Sequence, residues 1–201
     1  KVNFHIHSTI SDGKLKPEEV ITEAINNGLT HMCFTDHYKT PENLDASQEK
    51  FYSDNDFHSL LILQKKFENN LDISLGVELD WVAGYDSWYK TELAKRKYDF
   101  VIGSVHGLMK DGKFISFWDD ITEIIQLIKS LGGKKNYIKE YYNQIRLMIN
   151  SELFDCLGHF DVIKMNNKDD LLFSESDSWY IEEIIKTLDL LKEKRMCLEI
   201  N

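Results

Sequence analysis

The feature that most constrains this chain is an alternation. Apolar runs of strand length are separated by stretches of helix length with apolar residues on one face, and nearly every run carries a histidine or a carboxylate at or near its carboxyl end. The runs are Lys1–His7, His31–Thr35, Ile73–Leu79, Phe100–Val105, Cys156–Phe160 and Met196–Asn201. The stretches between them predict helices opening at Pro17, over about Asp56–Asn69 and Ser87–Lys97, from about Asp119, and over Tyr137–Ser151 and Ser178–Lys194. Pro17 suits a first helical position, with Glu18 and Glu19 in the first turn. In the last helix Ile181, Ile184, Ile185, Leu188 and Leu191 are expected to face inward, and in the helix from Asp119 the expected stripe is Ile121, Ile124, Ile125 and Ile128. Repeated βα units of this kind predict a parallel sheet or barrel. No linker divides the 201 residues, so one domain over 1–201 is expected. The chain stops in or just after a strand, so a barrel built from it is expected to lack its last staves.

The formal net charge is −10. That disfavours nonspecific adhesion to nucleic acid or an anionic membrane, which needs clustered Lys and Arg. It leaves phosphate substrates open, because bound divalent cations reverse the local sign. No apolar stretch approaches the roughly 20 residues of a membrane span. A secretory leader is not evident either, and the chain begins at Lys1 rather than Met. Cys33, Cys156 and Cys197 are far apart in apolar runs, read as buried core thiols of a protein in the reducing cytoplasm. The tryptophans Trp81, Trp88, Trp118 and Trp179 read as packing residues, since no basic cluster is interleaved with them.

The polar residues at the strand ends carry the chemistry. His5 and His7 lie two apart on a strand, so both side chains point to one face. Asp12 sits in the turn Ser11-Asp12-Gly13. In Thr35-Asp36-His37 either Asp36 or His37 suits ligation, and Asp36 also suits orienting an imidazole. Glu78 lies inside the apolar run Gly76-Val77-Glu78-Leu79, where burial without compensation costs several kcal/mol; a position between two cations would compensate it. Asp80 reads as a solvated strand end. His106 and the pair His159 and Asp161 follow further runs, whereas His31 and His58 read as surface residues. Lys164 is a candidate for a substrate phosphate. In a parallel barrel such strand ends open on one face, where active sites lie. Imidazoles and carboxylates gathered there suit a multinuclear metal centre.

Six segments in order, namely the His5-His7 pair, Ser-Asp-Gly, Thr-Asp-His, Gly-Val-Glu, Ser-Val-His and Gly-His-Phe-Asp, resemble the PHP (polymerase and histidinol phosphatase) superfamily. IGSVHG, YYNQIRLMINSELFDCLGHFDVIK and CLEIN resemble its histidinol-phosphatase branch. The resemblance implies a distorted seven-stranded (β/α) TIM-like barrel and two to three divalent metal ions, of zinc, manganese or iron. It implies one metal on His5, His7 and Glu78, a second on Glu78, His106 and His159, and a third on Asp12 and His37. Asn3 stands where the family's first motif has Asp, and the family's final Asp-x-His motif does not occur before Asn201.

The implied activity is hydrolysis of a small phosphomonoester, L-histidinol phosphate, in histidine biosynthesis. Glu78, His106 and His159 would serve catalysis and Lys164 the substrate, with no nucleic acid or membrane partner. The aromatic segment Tyr38–Phe57 is a candidate for the substrate's imidazole. Three other readings stay open: a phosphoesterase for another small monoester, a nuclease or polymerase-associated domain, and a metal-binding domain without turnover. Nothing in the sequence sets an oligomeric state.

Overall fold

A computed structural model describes residues 1–44 and 50–200. They form two compact units, one of Lys1–Asp80 with Trp88–Ile102, the other of Trp81–Ser87 with the chain from Gly103 onward.

The first unit begins with β1 (Val2–Ile6), α1 (Pro17–Asn26), β2 (His31–Phe34), α2 (Asp54–Phe67) and β3 (Asp72–Asp80). β1 pairs with β2 and β2 with β3, both parallel. Pro17 occupies the first turn of α1, and the Lys16 amide donates to Glu19 Oε2 at 2.8 Å. Ser53 and Asp56 close the start of α2 reciprocally: the Ser53 amide donates to Asp56 Oδ2 at 2.9 Å, and the Asp56 amide to Ser53 Oγ at 3.3 Å. Ile21, Met32, Cys33, Phe34, Ile73, Leu75 and Val77 make the core. α3 (Asp86–Leu93) and β4 (Phe100–Ser104) each run along the chain from one unit into the other. The first unit's strand order is β1-β2-β3-β4, the Asp99 amide donating to the Leu75 carbonyl at 2.9 Å.

The second unit continues from the end of β4 with a hairpin, β5 (Gly107–Lys110) and β6 (Lys113–Ser116). Asp111 and Gly112 join its strands with φ of 51° and 80°, the two positive values a tight primed turn requires. α4 (Ile121–Ser130) and α5 (Lys134–Ser151) follow, then the short strand β7 (Cys156–Leu157), α6 (Ser178–Lys194) and β8 (Cys197–Leu198). β7 lies beside the end of β4, the Gly158 amide donating to the Gly103 carbonyl at 3.0 Å, and pairs in parallel with β8. The core here comes mostly from α5, with Tyr137, Ile138, Tyr141, Tyr142, Ile145, Met148 and Ile149 all buried.

The α/β class expected of the chain is found, with parallel strand pairs in each unit and a hairpin added in the second. Four local expectations are corrected. The inward face of α6 is Tyr180, Glu183, Thr187 and Leu191, while Ile181, Ile185 and Leu188 face solvent, Ile185 at 53% exposure. The reason is a polar pairing inside: Arg146 of α5 donates to Thr187 Oγ1 at 3.0 Å and approaches Glu183 Oε2 at 2.9 Å. In α4 the buried residues are Ile124, Leu127 and Ile128, with Ile125 exposed. Cys197 is exposed; among the described residues β8 has a neighbour, β7, on one side only. Asp80 is buried rather than solvated, its backbone carbonyl accepting from the Tyr89 hydroxyl.

Candidate metal centre

In the first unit β1 sets His5 and His7 on one side of the strand, as their spacing requires. Their Nε2 atoms stand 3.1 Å apart, and each faces Glu78 Oε2 of β3, at 3.1 Å from His5 and 3.0 Å from His7. His37 follows β2 and pairs with Glu78 as a parallel bridge. Its Nδ1 is 3.2 Å from the same Glu78 oxygen and 3.8 Å from Asp80 Oδ1. One oxygen of a fully buried carboxyl group therefore has three imidazole nitrogens around it.

Asp12 completes the group. Its Oδ1 is 2.7 Å from His7 Nδ1 and its Oδ2 is 3.8 Å from His37 Nε2. The turn that carries it is closely built. A Cβ on Gly13 would stand 2.5 Å from the His7 carbonyl carbon and oxygen, so only glycine lets the turn fold back against His7. Burial works against a charged His7, but Glu78 and Asp12 outweigh it and raise its pKa above the ordinary value. For Asp12 burial pushes upward, and His7 and His37 overcome it, leaving the carboxyl group below its usual range.

Asp36 is the residue whose role the sequence left open, and here it orients its neighbours. Fully buried, its Oδ1 accepts from the amides of Ser8 and Ser11 at 2.8 and 3.1 Å and from the Ser11 hydroxyl at 2.7 Å. The Ser8 hydroxyl donates to Oδ2 at 3.0 Å. Asp36 thus ties down the turn between His7 and Asp12. Asn3 plays a smaller part, its Oδ1 accepting from the His5 amide at 3.1 Å.

These donors fit divalent cations. His5, His7 and Glu78 form one group of mutually adjacent ligand atoms, and His7, Asp12 and His37 another. Ligand atoms about 3 Å apart suit a cation with N and O bonds of about 2.0–2.2 Å.

The second unit holds His106, just past β4, and His159, just past β7. Their Nε2 atoms are 2.9 Å apart, with ring centroids at 4.7 Å. The His159 amide donates to Glu199 Oε2 at 2.9 Å, which ties it to the chain beyond β8. The hairpin, not foreseen from the sequence, returns the chain so that the Phe117 amide donates to the His106 carbonyl at 2.9 Å. That brings Trp118 edge-on to His106, with centroids 5.2 Å apart. Trp118 is 56% exposed and is no packing residue, a correction to the sequence reading. Trp81 does pack, buried against Phe154. Lys164 lies in a 3-10 turn with its ammonium 3.2 Å from Asp161 and 3.0 Å from Glu175, and Glu175 is the main influence raising its pKa. His31 is a surface residue, 3.1 Å from Asp72. Tyr38 and Tyr52 are buried packing residues rather than open platforms, and residues 45–49 of their segment lie outside the described residues.

The chain belongs to the PHP domain family, whose sequence profile matches residues 3–201. A crystal structure from Listeria monocytogenes shares the fold, with a TM-score of 0.85 over 98% of this chain and 81% of the other, at 18% identity. A histidinol phosphate phosphatase from Lactococcus lactis, solved with zinc, L-histidinol and phosphate, is 25% identical with a TM-score of 0.77, over 100% of this chain and 73% of that one. A Deinococcus radiodurans protein named "Probable histidinol-phosphatase" is 29% identical over 171 residues, 80% of this chain. The matched stretch spans 60% of the Deinococcus protein's length. Among the described residues no helix is long and apolar enough to cross a membrane.

Proposed function

We propose that this chain is a phosphomonoesterase dependent on divalent cations, acting as one PHP domain over residues 1–201, that hydrolyses L-histidinol phosphate to L-histidinol and phosphate. The observation that carries the reading is the buried Glu78 oxygen with three imidazole nitrogens at 3.0–3.2 Å. The names of the relatives and the ligands of the Lactococcus structure support the substrate.

In this reading His5, His7 and Glu78 hold one cation, and Asp12 and His37, beside His7, hold another. His106 and His159 offer a facing pair of nitrogens to a cation in the second unit. Two or three ions of zinc, manganese or iron, when bound, supply Lewis acidity toward a phosphoryl oxygen and activation of water. Glu78 contributes a buried carboxyl group that draws positive charge, a cation or a proton, to the adjacent imidazoles. Asp12, bonded to His7 Nδ1, fixes that ring's orientation and leaves Nε2 to the cation side. Lys164, exchanging Asp161 and Glu175 for a phosphoryl oxygen, binds substrate. A cytoplasmic location belongs to the same proposal and is supported by the free thiols Cys33, Cys156 and Cys197.

The test is phosphate release from L-histidinol phosphate by manganese- or zinc-loaded protein, against a chelator-treated control and against Glu78→Gln. Chelator-sensitive turnover that Glu78→Gln abolishes is expected. Full activity and full cation content in Glu78→Gln would overturn the role given to Glu78. Equal turnover of aryl phosphates would overturn the choice of substrate.

A further inference from the structure

His37 is held by its backbone on both sides. Its carbonyl accepts from the Tyr52 amide at 3.0 Å, and the next amide, that of Tyr38, donates to the Glu78 carbonyl at 3.0 Å. The side chains of both tyrosines rest on one guanidinium. The central carbon of Arg96 lies 5.5 Å from the Tyr38 ring centre, 5.7 Å from Tyr52 and 5.8 Å from Phe57. Its Nη1 donates to the Tyr98 hydroxyl at 2.8 Å, and its Nε to Asp54 Oδ1 at 2.8 Å. Tyr98 closes the cage, with ring centres 6.3 Å from Tyr52 and 5.8 Å from Phe57. The Arg96 side chain is only 8% exposed, whereas Asp54 stands in water at 87%. Among the described residues this guanidinium has one carboxylate partner, the exposed Asp54, and the ring faces around it add to what Asp54 and the Tyr98 hydroxyl supply.

We propose that Arg96 is a positioning residue for the metal centre: by clamping Tyr38 and Tyr52 it fixes the backbone that presents His37 to Glu78 and Asp12. The inference rests on the reading of His37 as a cation ligand. Arg96 touches no candidate ligand itself and acts through the two tyrosines. Losing an outer partner of a metal ligand typically costs 10- to 100-fold in affinity, and this clamp works through backbone, so the lower end applies.

The experiment compares the unaltered chain with Arg96→Met, Arg96→Lys, Glu183→Ala and Glu78→Gln. Two quantities are measured: manganese affinity by calorimetry, and hydrogen exchange of the Tyr38 and Tyr52 amides in metal-free protein. Arg96→Met is expected to bind manganese about 10-fold more weakly and to exchange both amides faster. Arg96→Lys, which keeps the charge but not the planar fork, is expected between the two, and it carries the test if Arg96→Met does not fold. Glu183→Ala, in the second unit, is expected to lower thermal stability while leaving manganese affinity unchanged, which separates positioning from general destabilisation. Unaltered affinity and unaltered Tyr52 exchange in both Arg96 variants would overturn the proposal. Unaltered affinity in Glu78→Gln would instead overturn the reading of the centre, and the amide exchange would still decide whether Arg96 is a clamp.

Discussion

Asp36 offers a sharp quantitative test of how the site is held. Its two oxygens accept from four donors on Ser8 and Ser11, and its side chain is fully buried. In Asp36→Ala three of these donors have alternatives. The Ser11 amide already lies 3.1 Å from the Ser8 carbonyl, and the two hydroxyls can turn. The Ser8 amide has none, and a buried donor left unmade costs about 1–3 kcal/mol, with roughly 0.5–1.5 kcal/mol for each of the other bonds. The expected loss is therefore about 2.5–7.5 kcal/mol, or a Tm lower by roughly 5–30 °C for a chain of this size. Asp36→Asn keeps the oxygen that both amides use and asks only one hydroxyl to reverse, so about 1 kcal/mol is expected. Because the turn joins His7 to Asp12, the alanine variant is also expected to bind cations more weakly and the asparagine variant nearly normally. Thermal unfolding of metal-free protein measures the first effect, and calorimetric titration with manganese the second. An alanine variant losing less than about 1 kcal/mol, or an asparagine variant as damaged as the alanine one, would refute the reasoning.

Three further outcomes are expected. The raised pKa of His7 contributes stability to metal-free protein that is present below the ordinary value near 6.5 and lost as pH rises through the folded value; Asp12, with a lowered pKa, contributes a constant amount in that range. Metal-free Tm should therefore rise as pH falls from about 8 toward 6.5, while manganese affinity falls over the same interval because protons compete for His7; a pH-independent affinity would contradict this. Gly13→Ala forces a Cβ against the His7 backbone and is expected to cost about 1–3 kcal/mol and weaken cation binding, as thermal unfolding and titration would show. Glu183→Ala leaves Arg146 without its buried partner and is expected to cost about 3 kcal/mol, whereas replacing the pair with Arg146→Met and Glu183→Leu together is expected to be nearly neutral; a double variant worse than the single one would count against the pair as the cause.

The strands and the ligand candidates were legible because both depend on local pattern. Period-two spacing put His5 and His7 on one face, and an acid within an apolar run marked Glu78 as compensated. What the sequence did not reveal depends on partners far along the chain. Asp36 is 25 residues from Ser11, and nothing near it shows that it will hold that turn. The α6 stripe was misread because Glu183 looks like a surface acid until Arg146, on α5, is placed beside it. The β5-β6 hairpin is a different kind of miss: Asp111-Gly112 between apolar pairs is a local turn signal, and it places Trp118 against His106.

The pairing of β2 with β3 has a consequence for how this sequence can vary in length. The register that sets His31 opposite Asp72 and Phe34 opposite Leu75 continues unbroken to His37 opposite Glu78. A strand alternates sides at every residue, so one inserted or deleted residue between Leu75 and Glu78 would turn Glu78 away and aim Val77 or Leu79 at the three imidazoles. Loops can absorb a codon gained or lost, but this stretch cannot. A compensating change of opposite sign close by in the same strand would restore the register and return Glu78 to the imidazoles.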